Sequence, residues 1–192
     1  MIEDIKYKLN LLNSEKPSGQ PQASVLIAIL NYGKFIESPE LIYTQRSSHL
    51  STHSGEVSFP GGKADETDLS LFGTALRESN EEINLNSEDV TELGKLNYLI
   101  SRHKIEVNPF VASVDQVQAL KPNEEIQEIF TVPIDFLLDP KNIKREIIKR
   151  HGGVWQVPTW TIKDQKIWGL TAMITVNFLN VCFDANIEIL EG

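Results

Sequence analysis

With 192 residues, 41% of them hydrophobic and 23% charged, the chain has the make-up of one globular domain with a substantial core. A net charge of −9 argues against broad binding to nucleic acid or to an anionic membrane surface, although a metal and local Arg or Lys can reverse the field at a small polyphosphate site. The single cysteine, Cys182, excludes an internal disulfide, and its apolar helical setting reads as an inert buried thiol.

In chain order, residues 2–15 show helical periodicity, with Ile2, Ile5, Leu9 and Leu12 on one side. The segment is charged and lacks the apolar core of a signal peptide. Pro17-Ser18-Gly19-Gln20-Pro21 reads as a short linker. Ala23 to Tyr32 and Leu41 to Arg46 are predicted strands, with a turn at Gly33. Val57-Ser58-Phe59 is a short strand running into Pro60-Gly61-Gly62, and residues 67–84 form an amphipathic helix. Leu93 to Ile100, Ile105 to Val114 and Ile126 to Val132 read as strands, and Pro133 starts a short helix. Val154 to Ile162 and Lys166 to Trp168 suggest a hairpin, with Pro158 placing its first arm at an edge or a bulge. Leu170 to Phe183 is a final apolar helix. Mixed strands with interspersed helices indicate an α/β or α+β domain. The longest apolar runs, such as VLIAIL, are too short to span a bilayer, and the closing I-L-E-G is no peroxisomal address, so cytoplasm is the expected compartment.

The helix over 67–84 carries the chemistry. At about 100° per residue, Glu81 and Glu82 fall within about 60° of Glu78, so the three share one face. Leu69, Phe72, Leu76 and Ile83 cluster at about 120–180° and form the expected core stripe. Like charges at these spacings cost roughly 0.2–0.5 kcal/mol per pair, and the helix dipole disfavours anions in its last turns. A solvated acidic face is the ordinary explanation of such a cluster. A bound hard cation removes both objections, and Mg²⁺ or Mn²⁺ suits oxygen ligands. Arg77 can pair with one carboxylate and orient it, leaving the others for metal, or it can be an ordinary surface ion pair.

This segment resembles the signature of the Nudix hydrolases: a Gly, five residues, an acid, a spacer, then R-E-U-x-E-E-x-G-U, where U is bulky and aliphatic. Gly62 is followed after five residues by Asp68, and then by Arg77-Glu78 and Glu81-Glu82. Asp68 replaces the usual Glu, the spacer is one residue longer, Ser79 takes an aliphatic position and Asn84 the final Gly position. Asn tolerates the left-handed conformation that ends a helix. Upstream, Thr44, Arg46, Ser47, Gly55, Val57, Phe59, Pro60, Gly61 and Gly62 are similar to the additional motif of the coenzyme A diphosphatases. Ser51 stands where that motif usually has Arg, with His49 and His53 close by.

The resemblance implies a Nudix α/β/α sandwich around a mixed sheet, with 1–22 as an N-terminal helix and linker and 23–192 as the Nudix domain. It implies metal-dependent hydrolysis of the diphosphate of coenzyme A or a derivative; a broader nucleoside-diphosphate hydrolase and a noncatalytic Nudix-fold binding module are the rival readings. Glu78 and Glu82, one turn apart, are the first choice of metal ligands, Glu81 the third, with backbone carbonyls at Gly61-Gly62 completing the shell. Glu78, Glu81 and Arg77 are the candidate catalytic residues, and the general base is Glu78 or Glu125, unless Glu125 is simply a solvated strand end. Arg46 and Lys63 are candidate phosphate contacts or surface solubility residues, and Ser47 is a candidate substrate-binding residue. His53 either contacts the 3′-phosphate or caps a turn. One of Trp155, Trp160 and Trp168 stacks on adenine or all three pack in the core, the second being the expectation. The expected partner is a small-molecule substrate, with no nucleic acid and no membrane, and a homodimer is compatible with the chain.

Overall fold

In the computed structural model the described residues are 1–13, 15–30, 38–49, 54–115, 119–150 (only the backbone of Arg150) and 153–191. The chain runs α1 (Ile2–Asn10), β1 (Gln22–Leu30), β2 (Glu40–Arg46), β3 (Val57–Ser58), β4 (Gly61–Lys63), α2 (Leu71–Ile83), β5 (Val90–Lys95), β6 (Leu99–Ile100), β7 (Glu106–Val114) and β8 (Ile126–Pro133). It continues through α3 (Ile134–Leu138), β9 (Lys144–Arg150), β10 (Gly153–Ile162), β11 (Gln165–Ile167), α4 (Gly169–Phe183) and β12 (Leu190–Glu191).

A large mixed sheet has the order β3-β2-β1-β7-β5, with β4 beside β1, β6 beside β7 and β8 beside β2. The β1–β7 pair is parallel, from Gln22↔Glu106 to Ile29↔Ser113. All nine residues of β7 are buried, as expected of a central strand covered on both faces. The alternation of β1 divides the core. Leu26, Ala28 and Leu30 face α2 together with Ala75, Ile83 and Phe110. Ile27 and Ile29 face the opposite way, into a larger cluster with Ile5 and Leu9 of α1, Trp160 of β10 and Phe178 of α4. The sheet is thus sandwiched by helices, and a smaller antiparallel sheet of β9, β10, β11 and β12 joins the second layer.

Several boundaries differ from the sequence reading, each for a local reason. The first helix stops at Asn10, where the amides of Leu11 and Leu12 tighten onto the carbonyls of Lys8 and Leu9. The predicted strand at Leu93–Ile100 is two pieces, β5 and β6, which pair with different parts of β7. The acidic helix begins at Leu71 instead of residue 67, because the Ser70 hydroxyl caps it by accepting from the Gly73 amide at 3.0 Å. Leu69, expected in the core stripe, precedes the cap and is fully exposed. The buried face of α2 is turned toward the acids and consists of Thr74, Ala75, Ser79, Glu82 and Ile83. Small residues there bring the helix close to the sheet, and Ser79 satisfies its hydroxyl on the Ala75 carbonyl at 2.7 Å. Asn84 ends the helix at φ 56°, in the left-handed conformation expected of it.

Strand β9 has no counterpart in the sequence pattern. Its sequence KREIIKR has two apolar residues, and it is held by seven register pairs with β10, from Gly153↔Arg150 to Thr159↔Lys144. Pro158 lies in a strand flanked on both sides. On its second side β12 pairs with Trp155 and Gln156 and β11 with Trp160 to Ile162, so Pro158 falls in the gap between two partners. Cys182 is buried in α4, and burial pushes its thiol up to about 12.

Candidate active site

The site forms where β1 and β2 part. These strands pair at Ile29↔Leu41 and Leu30↔Glu40. Toward the other end β2 takes β3 as partner, at Thr44↔Ser58 and Gln45↔Val57, while β1 takes β4, at Ala23↔Lys63, Ser24↔Gly62 and Val25↔Gly61. The Phe59-Pro60 link crosses the opening, pinned by the Leu26 amide on the Pro60 carbonyl at 2.9 Å. Helix α2 lies against β4, so its carboxylates meet the two glycines. A Cβ on Gly62 would lie 2.5 Å from both oxygens of the Glu78 carboxylate. Only glycine leaves room for that approach. At Gly61 the backbone amide donates to Glu82 Oε2 at 3.0 Å.

Two arginines divide the acids. Arg77 grips Asp68 with two bonds, Nε to Oδ1 at 2.8 Å and Nη2 to Oδ2 at 3.0 Å. Its Nη1 donates to Glu78 Oε1 at 2.9 Å and to Glu81 Oε2 at 3.3 Å, and its Nη2 also reaches the Lys63 carbonyl at 3.1 Å. Asp68 accepts a further bond from the Thr74 hydroxyl at 2.8 Å. The fork-to-fork geometry fixes the guanidinium plane. Arg46 serves the other group: Nη1 lies 3.4 Å from Glu82 Oε1 and Nη2 2.9 Å from Glu125 Oε2. Its Nε is buried without a hydrogen-bond partner among the described residues.

The electrostatics follow from these partners. Hydrogen bonds from Arg77, above all, hold the Asp68 carboxyl far below the usual range. Burial raises Glu78 above its ordinary value, the Arg77 hydrogen bond and charge draw it back, and the charges of Glu81 and Glu125 add to the rise. Glu82 is pushed up to about 7, first by burial; the Gly61 amide and Arg46 oppose the rise, and Glu78 and Glu125 reinforce it. Glu82 is thus a desolvated carboxylate among like charges, with one backbone donor and a shared guanidinium.

The remaining predicted residues fall around this centre. The Ser47 hydroxyl donates to the Glu124 carbonyl at 3.0 Å, and its amide to the Glu125 carbonyl at 2.8 Å. Those two bonds hold the loop bearing Glu125 beside Arg46. Lys63 is exposed, and its backbone carbonyl is what Arg77 uses. Glu125 and Glu81 are both more than half exposed. His53 and Ser51 lie outside the described residues. Among the tryptophans, Trp160 is buried and donates to the Leu137 carbonyl at 3.1 Å. Trp168 departs from the expected core packing, being 39% exposed just before α4. The role of Asp68 was legible only as an acid at a fixed distance from Gly62; that it braces Arg77 is seen in the fold.

The donor set suits a hard divalent ion. Glu78 and Glu82 offer carboxylate oxygens one helical turn apart, and Glu82 is deficient in positive partners. Among the described residues no three acidic side chains converge on one point. The arginines occupy the carboxylates, so an ion entering here must draw Glu82 from Arg46, or Glu78 and Glu81 from Arg77. At Gly61 the backbone turns its N–H toward the acids, a polarity that serves the carboxylate and not a cation.

A NUDIX domain pattern matches residues 20–158. NudL of Pectobacterium atrosepticum, named as an uncharacterized Nudix hydrolase, is 39% identical over 176 residues, 88% of this chain and 87% of that protein. The human mitochondrial coenzyme A diphosphatase NUDT8 is 39% identical over 142 residues, 71% of this chain and 60% of that protein. Among solved structures, a MutT/nudix family protein from Enterococcus faecalis superposes with a TM-score of 0.56 at 13% identity, covering 96% of this chain and 70% of that one. An Ap4A hydrolase from C. elegans gives 0.51 at 20% identity, covering 60% and 83%. At such identities the structural likeness concerns the fold.

Proposed function

The chain belongs to the Nudix hydrolase family, and from that premise we propose that it cleaves the diphosphate linkage of coenzyme A or a derivative. The products are adenosine 3′,5′-bisphosphate and 4′-phosphopantetheine or its acylated form. One observation carries the reading: Arg46, from the segment similar to the coenzyme A diphosphatases, meets Glu82 of the acidic helix at 3.4 Å. The two resemblances, which overlap at Gly62, each supply a side chain to this contact, which supports reading them as one site. The 39% identity to a human coenzyme A diphosphatase supports the same substrate class.

In the reaction a water oxygen forms a bond to one phosphorus, the bond from that phosphorus to the bridging oxygen breaks, and the second phosphate leaves with that oxygen. The anionic oxygens of the diphosphate repel the nucleophile, so catalysis rests on charge compensation and alignment. Nudix hydrolases generally need a divalent metal ion. We assign Glu78 and Glu82 as holders of Mg²⁺ or Mn²⁺, with Glu81 as the third carboxylate and Gly62 supplying close backbone approach; the ion contributes charge neutralisation and an acidified water. Arg77, braced by Asp68, orients Glu78 and Glu81. Glu78 is the first candidate base, since burial raises its proton affinity toward the useful range. Glu125 is the alternative base, delivered by the Ser47 hydrogen bonds. Arg46, with an unpartnered Nε, takes a phosphate oxygen once substrate competes for its carboxylates, and exposed Lys63 adds a point charge. The setting proposed is cytoplasmic, with a small molecule as partner and neither nucleic acid nor membrane.

The test is a matched panel with Mg²⁺ or Mn²⁺: coenzyme A, dephospho-coenzyme A, NADH, ADP-ribose, a diadenosine polyphosphate and 8-oxo-dGTP, with products resolved by mass spectrometry. Adenosine 3′,5′-bisphosphate released from coenzyme A faster than any other product is the expected result. Preference for another nucleoside diphosphate keeps the hydrolase and overturns the substrate. No turnover of any compound favours a binding module.

A further inference from the structure

The row of residues that passes under Glu78 carries two buried polar atoms that the site described above does not use. Gly62, whose lack of a side chain admits the Glu78 carboxylate, pairs with Ser24 of β1, and Ser24 pairs on its other side with Asn108 of β7. Residues directly opposed across a ladder send their side chains to the same face. Two residues along each strand Leu26 pairs with Phe110, and both pack in the cluster under α2. Alternation therefore turns Ser24 and Asn108 toward α2 as well. Directly opposed Cβ atoms stand about 4.5–5.5 Å apart, so Ser24 is one strand away from the place that the Glu78 carboxylate fills.

Ser24 and Asn108 are fully buried, and Ser24 Oγ and Asn108 Oδ1 have no hydrogen-bond partner among the described residues. The amide is oriented from behind. Asn108 Nδ2 donates to Glu106 Oε1 at 3.2 Å and to the Ala23 carbonyl at 3.4 Å, which leaves Oδ1 as the acceptor still to be satisfied. A buried polar group without a partner is destabilising, and native cores hold few of them. Two in register, one strand from a carboxylate of the site, point to a shared partner.

The donors and acceptors identify that partner. Ser24 offers one O–H, whereas Asn108 Oδ1 and the Glu78 carboxylate only accept. A molecule that accepts one bond and donates two serves all three, and water is the small molecule with that pattern. We propose that Ser24 and Asn108 hold a buried water that accepts from the Ser24 hydroxyl and donates to Asn108 Oδ1 and to the Glu78 carboxylate. Ser24 is thereby a positioning residue for Glu78; this half rests on the role assigned to Glu78 above. Arg77 holds the carboxylate from its own helix and the water holds it from the sheet, so Glu78 keeps its place over Gly62 when an ion competes with Arg77. Buried beneath the helix, this water takes no part in the attack on phosphorus.

A high-resolution crystal structure of the metal-free protein tests the site. An ordered water within hydrogen-bond reach of Ser24 Oγ and Asn108 Oδ1 is expected, and a dry contact there overturns it. Ser24→Ala, which removes one oxygen, tests the role. With Mg²⁺ and the best substrate of the panel, kcat is expected to fall about tenfold with KM nearly unchanged, the loss typical of an outer support of a metal ligand. Thermal midpoints of metal-free wild type, Ser24→Ala, Glu78→Gln and the double variant give a readout without catalysis, and the two single shifts are expected not to add. Unchanged kcat, with a raised midpoint and additive shifts, makes Ser24 an unsatisfied polar group only and overturns the positioning role while the assignment of Glu78 stands. Full turnover in Glu78→Gln overturns that assignment and the positioning role with it.

Discussion

Glu82 and Glu106 are both shielded from solvent, 4% and 1% exposed, and lie on the same side of the large sheet, yet their carboxyls stand at opposite ends of the scale. Glu106 is at about 2: burial pushes it up, and hydrogen bonds from Ser18, Gln22 and Asn108 overwhelm that push. The Ser18 amide donates at 2.6 Å, Gln22 Nε2 at 2.7 Å and Asn108 Nδ2 at 3.2 Å. Glu82 is at about 7, with one amide, a guanidinium shared with Glu125, and Glu78 as a neighbouring acid. Two things therefore separate them: Glu82 sits deeper among protein atoms and takes the larger burial push, while Glu106 has more donors to oppose it. Glu106 is furnished as a fastener, tying the linker at Ser18 to the central strands. Glu82 is left wanting positive charge, the setting that supports the metal-holding role proposed for it.

The largest expected effect comes from removing the needy carboxylate. Glu82→Gln lowers Mg²⁺-dependent kcat by about 10²-fold or more. Its metal-free fold is as stable as the wild type or more so at neutral pH, since a poorly compensated buried charge is gone. Steady-state kinetics beside thermal unfolding checks both halves, and full turnover in this variant refutes the assignment. Next comes Gly62→Ala, whose methyl displaces the Glu78 carboxylate. A misplaced ligand costs about ten- to a hundredfold in kcat/KM, and metal titration followed by turnover should show weaker dependence on the ion. Glu106→Gln is the mirror case. It keeps one acceptor, loses charge-assisted bonds, and is expected to cost on the order of 2–3 kcal/mol with turnover retained; urea unfolding measures it.

The contrast was half legible in the sequence. Gly61-Gly62, Arg77 and the three helix glutamates stand at fixed helical and turn spacings, so the acid face is legible from sequence alone. Glu106 carries no such mark: its partners Ser18 and Gln22 lie more than eighty residues away and are brought to it by the parallel pairing of β1 with β7. The same limit explains β9, a Lys- and Arg-rich strand formed by pairing with β10, and the core face of α2. The apolar stripe pointed to Leu69 and Leu76, but close packing chose Ala75 and Ser79, because small residues let a helix approach a sheet. The sequence neighbours of Arg46 point to a phosphate contact. Its grip on Glu82 and Glu125 depends on β2 parting from β1, which periodicity does not encode.

The pH response gives the comparison its sharpest form, because the two glutamates must respond to pH in opposite directions. Glu106 has an ordinary value of 4.5 and a folded value of about 2, so its contribution is present above pH 4.5 and is lost as pH falls toward 2. Glu82 has the same ordinary value and a folded value of about 7, so its contribution is present below 4.5 and is lost as pH rises through 7. In metal-free protein the advantage of Glu82→Gln over wild type should therefore grow between pH 5 and pH 8, by roughly 2–3 kcal/mol. The deficit of Glu106→Gln should hold across that range and shrink only below pH 4.5. Unfolding free energies of the three proteins at pH 3, 5 and 8 decide the matter. Parallel curves for the two variants would mean that the donors around these carboxylates do not control their ionisation. Added Mg²⁺ should selectively restore the wild type at pH 8, since an ion binds the carboxylate form of Glu82 and leaves Glu106 untouched.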